Sequence, residues 1–161
     1  MDKPLGADIV LSTAIIVGIS IAGFTGIVVS ITRPGKISAR EKISVSILLL
    51  SSIATVTLGF LPMIFLNAGV NERLTWTISS TLWLIYFVGI VTYRVWEFRD
   101  SSAAMPGWVA AGLVFLGVVA LLQVANAIVI RASWPYLILV VGYVIYAFLV
   151  FAYLLWNLWT E

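Results

Sequence analysis

The chain carries one pair of carboxamides deep inside an apolar stretch. Gln123 and Asn126 lie three residues apart, so on a helix their side chains share a face. An amide without partners in hydrocarbon costs several kcal/mol. The pair therefore needs hydrogen bonds to a neighbouring helix, or else an ion, water or ligand to coordinate. The sequence leaves both interpretations open, a structural one and a role in transport or ligand binding.

All six tyrosines lie in the third and fifth apolar stretches. Tyr143 and Tyr146 are too central for the aromatic belts that form at the two membrane surfaces. A phenol hydroxyl at such depth needs a partner. Gln123 and Asn126 are candidates, because a very short connection joins the fourth and fifth stretches. The tyrosines predict a buried polar seam, and a wet path or binding groove is the alternative.

The first apolar stretch has a small residue at every fourth position, in the small-xxx-small pattern. This small-residue ridge consists of Ala14, Gly18, Ala22, Gly26 and Ser30, and the second stretch has a shorter set of Ser51, Thr55 and Gly59. Small side chains at this spacing let another helix backbone approach closely. The pattern predicts packing of the first helix on the second. A contact between subunits and a pore-lining face are the alternatives.

The chain lacks the groups on which most membrane chemistry depends. It has no His and no Cys, which removes the commonest general base and metal ligand and every thiolate site. No Asp, Glu, Lys or Arg falls inside the apolar stretches. A Schiff-base lysine, a buried proton carrier and a carboxylate metal site are therefore excluded. We expect no enzyme activity, no catalytic residues, no cofactor and no bound metal.

Five predicted transmembrane helices must position these residues. Of the 161 residues, 62% are hydrophobic and 10% are charged, whereas soluble domains carry about 25% charged residues. A crossing needs ~20 apolar residues, and the predicted spans are 9–32, 43–66, 74–93, 108–130 and 136–159. The expected fold is an all-α integral membrane protein, a five-helix bundle forming a single transmembrane domain over 1–161. A four-span protein, with the fourth or fifth segment lying in the interface, is the alternative.

The distribution of basic residues predicts the orientation. The connections after the first and third predicted helices carry six of them: Arg33, Lys36, Arg40, Lys42, Arg94 and Arg99. The other side carries three: Lys3, Arg73 and Arg131. Because cytoplasmic loops have an excess of Lys and Arg, we expect the N-terminus outside and the C-terminus inside. The basic loop 33–42 would then also face anionic lipid.

These observations predict a non-enzymatic protein of a plasma membrane or a prokaryotic inner membrane. The first hypothesis is a self-assembling structural or accessory subunit, embedded in the lipid bilayer as a homo-oligomer or with other membrane subunits. The second is a passive oligomeric channel or carrier for ions or a small polar solute. Its lining would be Ser51, Thr55, Gln123, Asn126, Tyr143 and Tyr146. The third is lipid or quinone-like ligand binding in a groove of the last three helices. Nucleic acid is not an expected partner, because the basic residues cluster in one loop.

Overall fold

The computed structural model describes residues 5–32, 39–100 and 107–160, and in these ranges the chain is helical, without strands. The helices are α1 (Leu5–Thr32), α2 (Ala39–Asn67), α3 (Glu72–Asp100), α4 (Gly107–Ala125) and α5 (Ser133–Thr160), and a π-helical turn, Asn126–Ile130, follows α4. Five segments are long and apolar enough to cross a membrane: Gly6–Val28, Ser44–Asn67, Glu72–Tyr93, Ala110–Ile130 and Ser133–Trp156. The all-helical class and the five apolar helices predicted from the sequence are confirmed.

The connection between α2 and α3 shows why one helix ends and the next begins. Gly69 has a φ of 78°, a left-handed conformation that glycine adopts without the penalty of a Cβ. It lets the Val70 amide donate to the Phe65 carbonyl at 3.0 Å, which closes the end of α2. Two residues later, Asn71 Oδ1 accepts the Arg73 amide at 2.9 Å. Asn71 therefore caps the first turn of α3.

The chain divides into two compact units. The first contains Met1–Met63 and Leu137–Glu161, and the second contains Ile64–Tyr136. The first unit thus holds α1 and most of α2 and α5. The second holds α3, α4, the π-helical turn, the end of α2 and the first turn of α5. That the whole chain forms one transmembrane domain stays a prediction.

In the first unit, α1 and α2 approach each other at two glycines. A Cβ placed on Gly18 of α1 would lie 3.2 Å from the Ser52 carbonyl oxygen. A Cβ placed on Gly59 of α2 would lie 3.2 Å from the Leu11 carbonyl oxygen and 2.5 Å from Ile15 Cγ1. At both positions a carbonyl oxygen of the facing helix would lie closer to the added Cβ than ordinary van der Waals contact, so α1 and α2 pack closely there.

Candidate functional site

The π-helical turn leads into the short connection between α4 and α5. The Arg131 amide donates to the Asn126 carbonyl at 2.9 Å, and Arg131 itself is left-handed, with φ 52° and ψ 44°. The next amide, that of Ala132, donates to Asn126 Oδ1 at 3.0 Å. At a left-handed helix end both amides usually bond to backbone carbonyls. Here the Asn126 side chain accepts the Ala132 amide, so Asn126 accepts both hydrogen bonds of the turn, one through its carbonyl and one through its side chain.

Three buried side chains form what we call the carboxamide cluster: Ser80, Gln123 and Asn126. Ser80 Oγ donates to Gln123 Oε1 at 2.9 Å, and Asn126 Nδ2 donates to Ser80 Oγ at 2.9 Å. Gln123 Nε2 donates to the Pro135 carbonyl at 2.8 Å. All three cluster residues are 0% exposed. The cluster fastens α3 to α4, and α4 to the first turn of α5.

The Ser80 hydroxyl acts as both donor and acceptor in the cluster. Ser80 has a single hydroxyl proton, which goes to Gln123, and its oxygen accepts from Asn126. Each carboxamide oxygen accepts one bond and each amide nitrogen donates one. The sequence suggested Tyr143 and Tyr146 as partners for this pair. The structure supplies Ser80, which the sequence did not single out, together with the Ala132 amide in the α4–α5 connection and the Pro135 carbonyl in the first turn of α5. The predicted contact with the two tyrosines stays a prediction.

An aromatic pair lies one helical turn from the cluster. The ring centroids of Trp76 and Tyr136 are 5.8 Å apart, and the two side chains are 1% and 0% exposed. Trp76 Nε1 donates to Glu72 Oε1 at 3.4 Å. Trp76 precedes Ser80 by one turn of α3, so the aromatic pair lies between the cluster and the start of that helix. It adds apolar contact beside the hydrogen bonds.

The six predicted lining residues are divided between the two units. Gln123 and Asn126 belong to the second unit, and the other four belong to the first. Among these, Ser51 and Thr55 are buried in α2, and Thr55 Oγ1 donates to the Ser51 carbonyl of its own helix at 2.8 Å. Tyr143 is buried in α5. Tyr146, on the same helix, is half-buried.

The small-residue ridge changes its surroundings along α1. Ala14 and Gly18 are buried, Ala22 is half-buried, and Gly26 is exposed. A Cβ on Gly26 would have no other described atom within 4 Å beyond its immediate helix neighbours. The side chain of Ser30 lies outside the described part. Of the ridge residues that the structure describes, Gly18 lies at the close contact of α1 with α2, and Gly59 lies at the same contact on the facing helix.

The remaining predicted positions carry charge. Arg33 and Lys36 of the basic loop lie outside the described residues. Arg40 and Lys42 belong to α2, but their side chains lie outside the description. Within residues 5–32, 39–100 and 107–160, no group of three acidic side chains is placed to hold a metal ion. In comparisons with known proteins, no family model, no curated protein and no solved structure matches this chain.

Proposed function

We propose that this chain is a non-enzymatic multi-pass membrane protein that acts as a self-assembling structural or accessory subunit of a membrane complex. The carboxamide cluster is the observation that carries this proposal. A channel or carrier must offer free donors and acceptors to replace a solute's hydration shell. Gln123 and Asn126 instead use their oxygens and one donor each to hold three helices together. Such bonds suit a static scaffold.

The outer face of α5 supports membrane insertion. Trp134 and Trp156 are both exposed, and indoles prefer the interface between lipid and water. Between them runs a stripe of exposed apolar side chains: Ile138, Val141, Ile145, Phe148 and Leu149. Twenty-two helical steps separate the two tryptophans, which is about 33 Å at ~1.5 Å per step. A bilayer has a hydrocarbon core of about 30 Å, so this stripe fits it.

The proposed orientation has the N-terminus outside and the C-terminus inside, in a plasma membrane or a prokaryotic inner membrane. Because the chain has no native Cys, single substitutions give clean labelling sites. Ala68→Cys, in the exposed α2–α3 turn, should react with a membrane-impermeant maleimide on intact cells. Ser101→Cys, after α3, should react only after permeabilisation. The reverse pattern would overturn the orientation.

Self-assembly is tested at the exposed half of the ridge. A Cβ at Gly26 would have no described neighbour within 4 Å beyond its own helix, and a leucine there would keep a second helix from approaching closely. Gly26→Leu should therefore lower the mass of the protein in mild detergent. Gly89→Leu is the matched control, because Gly89 is also exposed and open, on α3. Unchanged mass in Gly26→Leu would remove α1 as the contact between subunits.

Two measurements decide between the proposal and its alternatives. Purified protein in liposomes should give no flux of ions or small osmolytes, and flux that Gln123→Leu abolishes would favour the passive channel or carrier. Native mass spectrometry should show repeated copies of the chain or associated membrane subunits. A monomer without partners would refute the subunit role, and a monomer with a retained lipid or quinone would favour ligand binding.

A further inference from the structure

We infer that α3 holds a buried water molecule between the hydroxyls of Thr75 and Ser79. Both residues are 0% exposed. Neither Thr75 Oγ1 nor Ser79 Oγ has a hydrogen-bond partner in the part of the chain that the structure describes. A hydroxyl that is removed from water and left unbonded costs free energy. These two hydroxyls lie one helical turn apart, and no described protein atom supplies the donor or acceptor that each of them lacks.

Several other hydroxyls in the same protein, buried or exposed, bond to a carbonyl of their own helix, unlike those of Thr75 and Ser79. Three threonines donate to the carbonyl one turn earlier in their own helix, at 2.6 to 2.8 Å: Thr25, Thr55 and Thr81. The equivalent carbonyl exists for Thr75, since Asn71 O accepts the Thr75 amide at 2.9 Å. The side chains of Thr75 and Ser79 are therefore turned away from the bond that satisfies a helical hydroxyl most simply.

The spacing of the pair suits a single water. Side chains four residues apart on a helix have Cβ atoms ~5–6 Å apart. A water that bonds to two hydroxyls at ~2.8 Å each bridges up to about 5.6 Å. Water both donates and accepts, so it satisfies two hydroxyls whichever way their protons point, and two partners are the minimum for an ordered buried water. Both hydroxyls are uncharged, so they offer no opposite charge to an ion that has lost its hydration shell.

Ser79 and Ser80 lie on two different faces of α3, and their hydroxyls are satisfied in two different ways. Ser80 bonds to the carboxamides of Gln123 in α4 and of Asn126 in the π-helical turn, so protein atoms satisfy its hydroxyl. The hydroxyls of Thr75 and Ser79 are satisfied by the buried water. This hydration site does not depend on the proposed function, since a structural subunit and a channel would both hold it.

A double-mutant cycle tests the shared water in purified protein in nanodiscs. Thr75→Val and Ser79→Ala should each lower the thermal midpoint by about 2–4 °C. The double variant should lose no more than the larger single effect, because either substitution already removes the bridge. The control pairs Thr75→Val with Thr25→Val, whose hydroxyl is buried but bonded to its own helix. Those two effects should add.

If no water bridges the two hydroxyls, the substitutions change the thermal midpoint differently. Replacing an unbonded buried hydroxyl by an apolar group leaves the midpoint unchanged or raises it. Either of those results, or additive losses in the Thr75→Val and Ser79→Ala cycle, would overturn the inference. Solid-state NMR on the unsubstituted protein gives an independent answer if a variant fails to fold. Magnetisation should pass from water to Thr75 and Ser79, and its absence at both residues would also overturn the inference.

Discussion

The hydrogen bonds of the carboxamide cluster make Gln123 and Ser80 energetically coupled. Gln123→Met keeps the length of the side chain but removes its bonds to Ser80 at 2.9 Å and to the Pro135 carbonyl at 2.8 Å. Hydrogen bonds between membrane helices contribute ~0.6 kcal/mol on average and up to ~1.7 kcal/mol. For two bonds, we expect Gln123→Met to lower the free energy of unfolding by about 1–3 kcal/mol.

The double variant separates this coupling from general damage to packing. Ser80→Ala removes the bonds to Gln123 and Asn126. Each single variant loses the Ser80–Gln123 bond, so the sum of the two effects counts it twice. The double variant should therefore lose ~0.6–1.7 kcal/mol less than that sum. Reversible unfolding in mixed micelles, with a rising mole fraction of dodecyl sulfate, measures all three free energies.

Thr81→Val is the matched control, because Thr81 follows Ser80 directly, is exposed and bonds to its own helix at the Thr77 carbonyl. Its effect should stay below about 0.5 kcal/mol. A coupling of zero between Gln123→Met and Ser80→Ala would refute the cluster as a stabilising element. A gain in stability for either single variant would refute it as well.

Two further predictions concern backbone geometry. Gly59→Ala should lower the free energy of unfolding by about 1–3 kcal/mol, because the new Cβ would lie 2.5 Å from Ile15 Cγ1, whereas Gly26→Ala should leave it unchanged or raise it by up to about 1 kcal/mol. Equal losses in the same micelle assay would contradict the α1–α2 contact. Arg131→Gly should raise the thermal midpoint and Gly69→Ala should lower it, each by the equivalent of about 1 kcal/mol, because both positions have positive φ. A lower midpoint in Arg131→Gly would contradict the left-handed turn.

The five helices could be predicted because each apolar run is long enough to cross a bilayer, whereas buried strands and surface helices do not need apolar runs of that length. The partner of the carboxamides could not. Ser79, Ser80 and Thr81 are consecutive hydroxyl residues, and successive side chains on a helix point about 100° apart. The structure buries Ser79 without a hydrogen-bond partner among the described residues, places Ser80 in the cluster and leaves Thr81 exposed and bonded to its own helix. Burial and hydrogen bonding in the folded protein distinguish the three, and neither is visible in the sequence.

The small-residue ridge shows a second limit of sequence reasoning. A spacing of four advances about 40° beyond one full turn of a helix with ~3.6 residues per turn. From Ala14 to Gly26 this drift reaches about 120°, so a straight neighbour cannot contact the whole ridge. The structure follows this geometry, with Ala14 and Gly18 buried and Gly26 exposed. The sequence shows a continuous row of small residues, whereas among its described members burial decreases from Ala14 to Gly26.

The carboxamide cluster also has a consequence for biogenesis. The helix that carries Gln123 and Asn126 has the highest mean hydropathy of the five, which favours its partition into lipid despite two amides. Ser80 precedes both carboxamides in the chain, so it has left the ribosome before they do. Ala132 and Pro135 follow within twelve residues of Gln123. For a chain inserted into a bilayer as proposed, each carboxamide therefore meets a partner on an earlier helix first and completes its bonds when the α4–α5 hairpin closes.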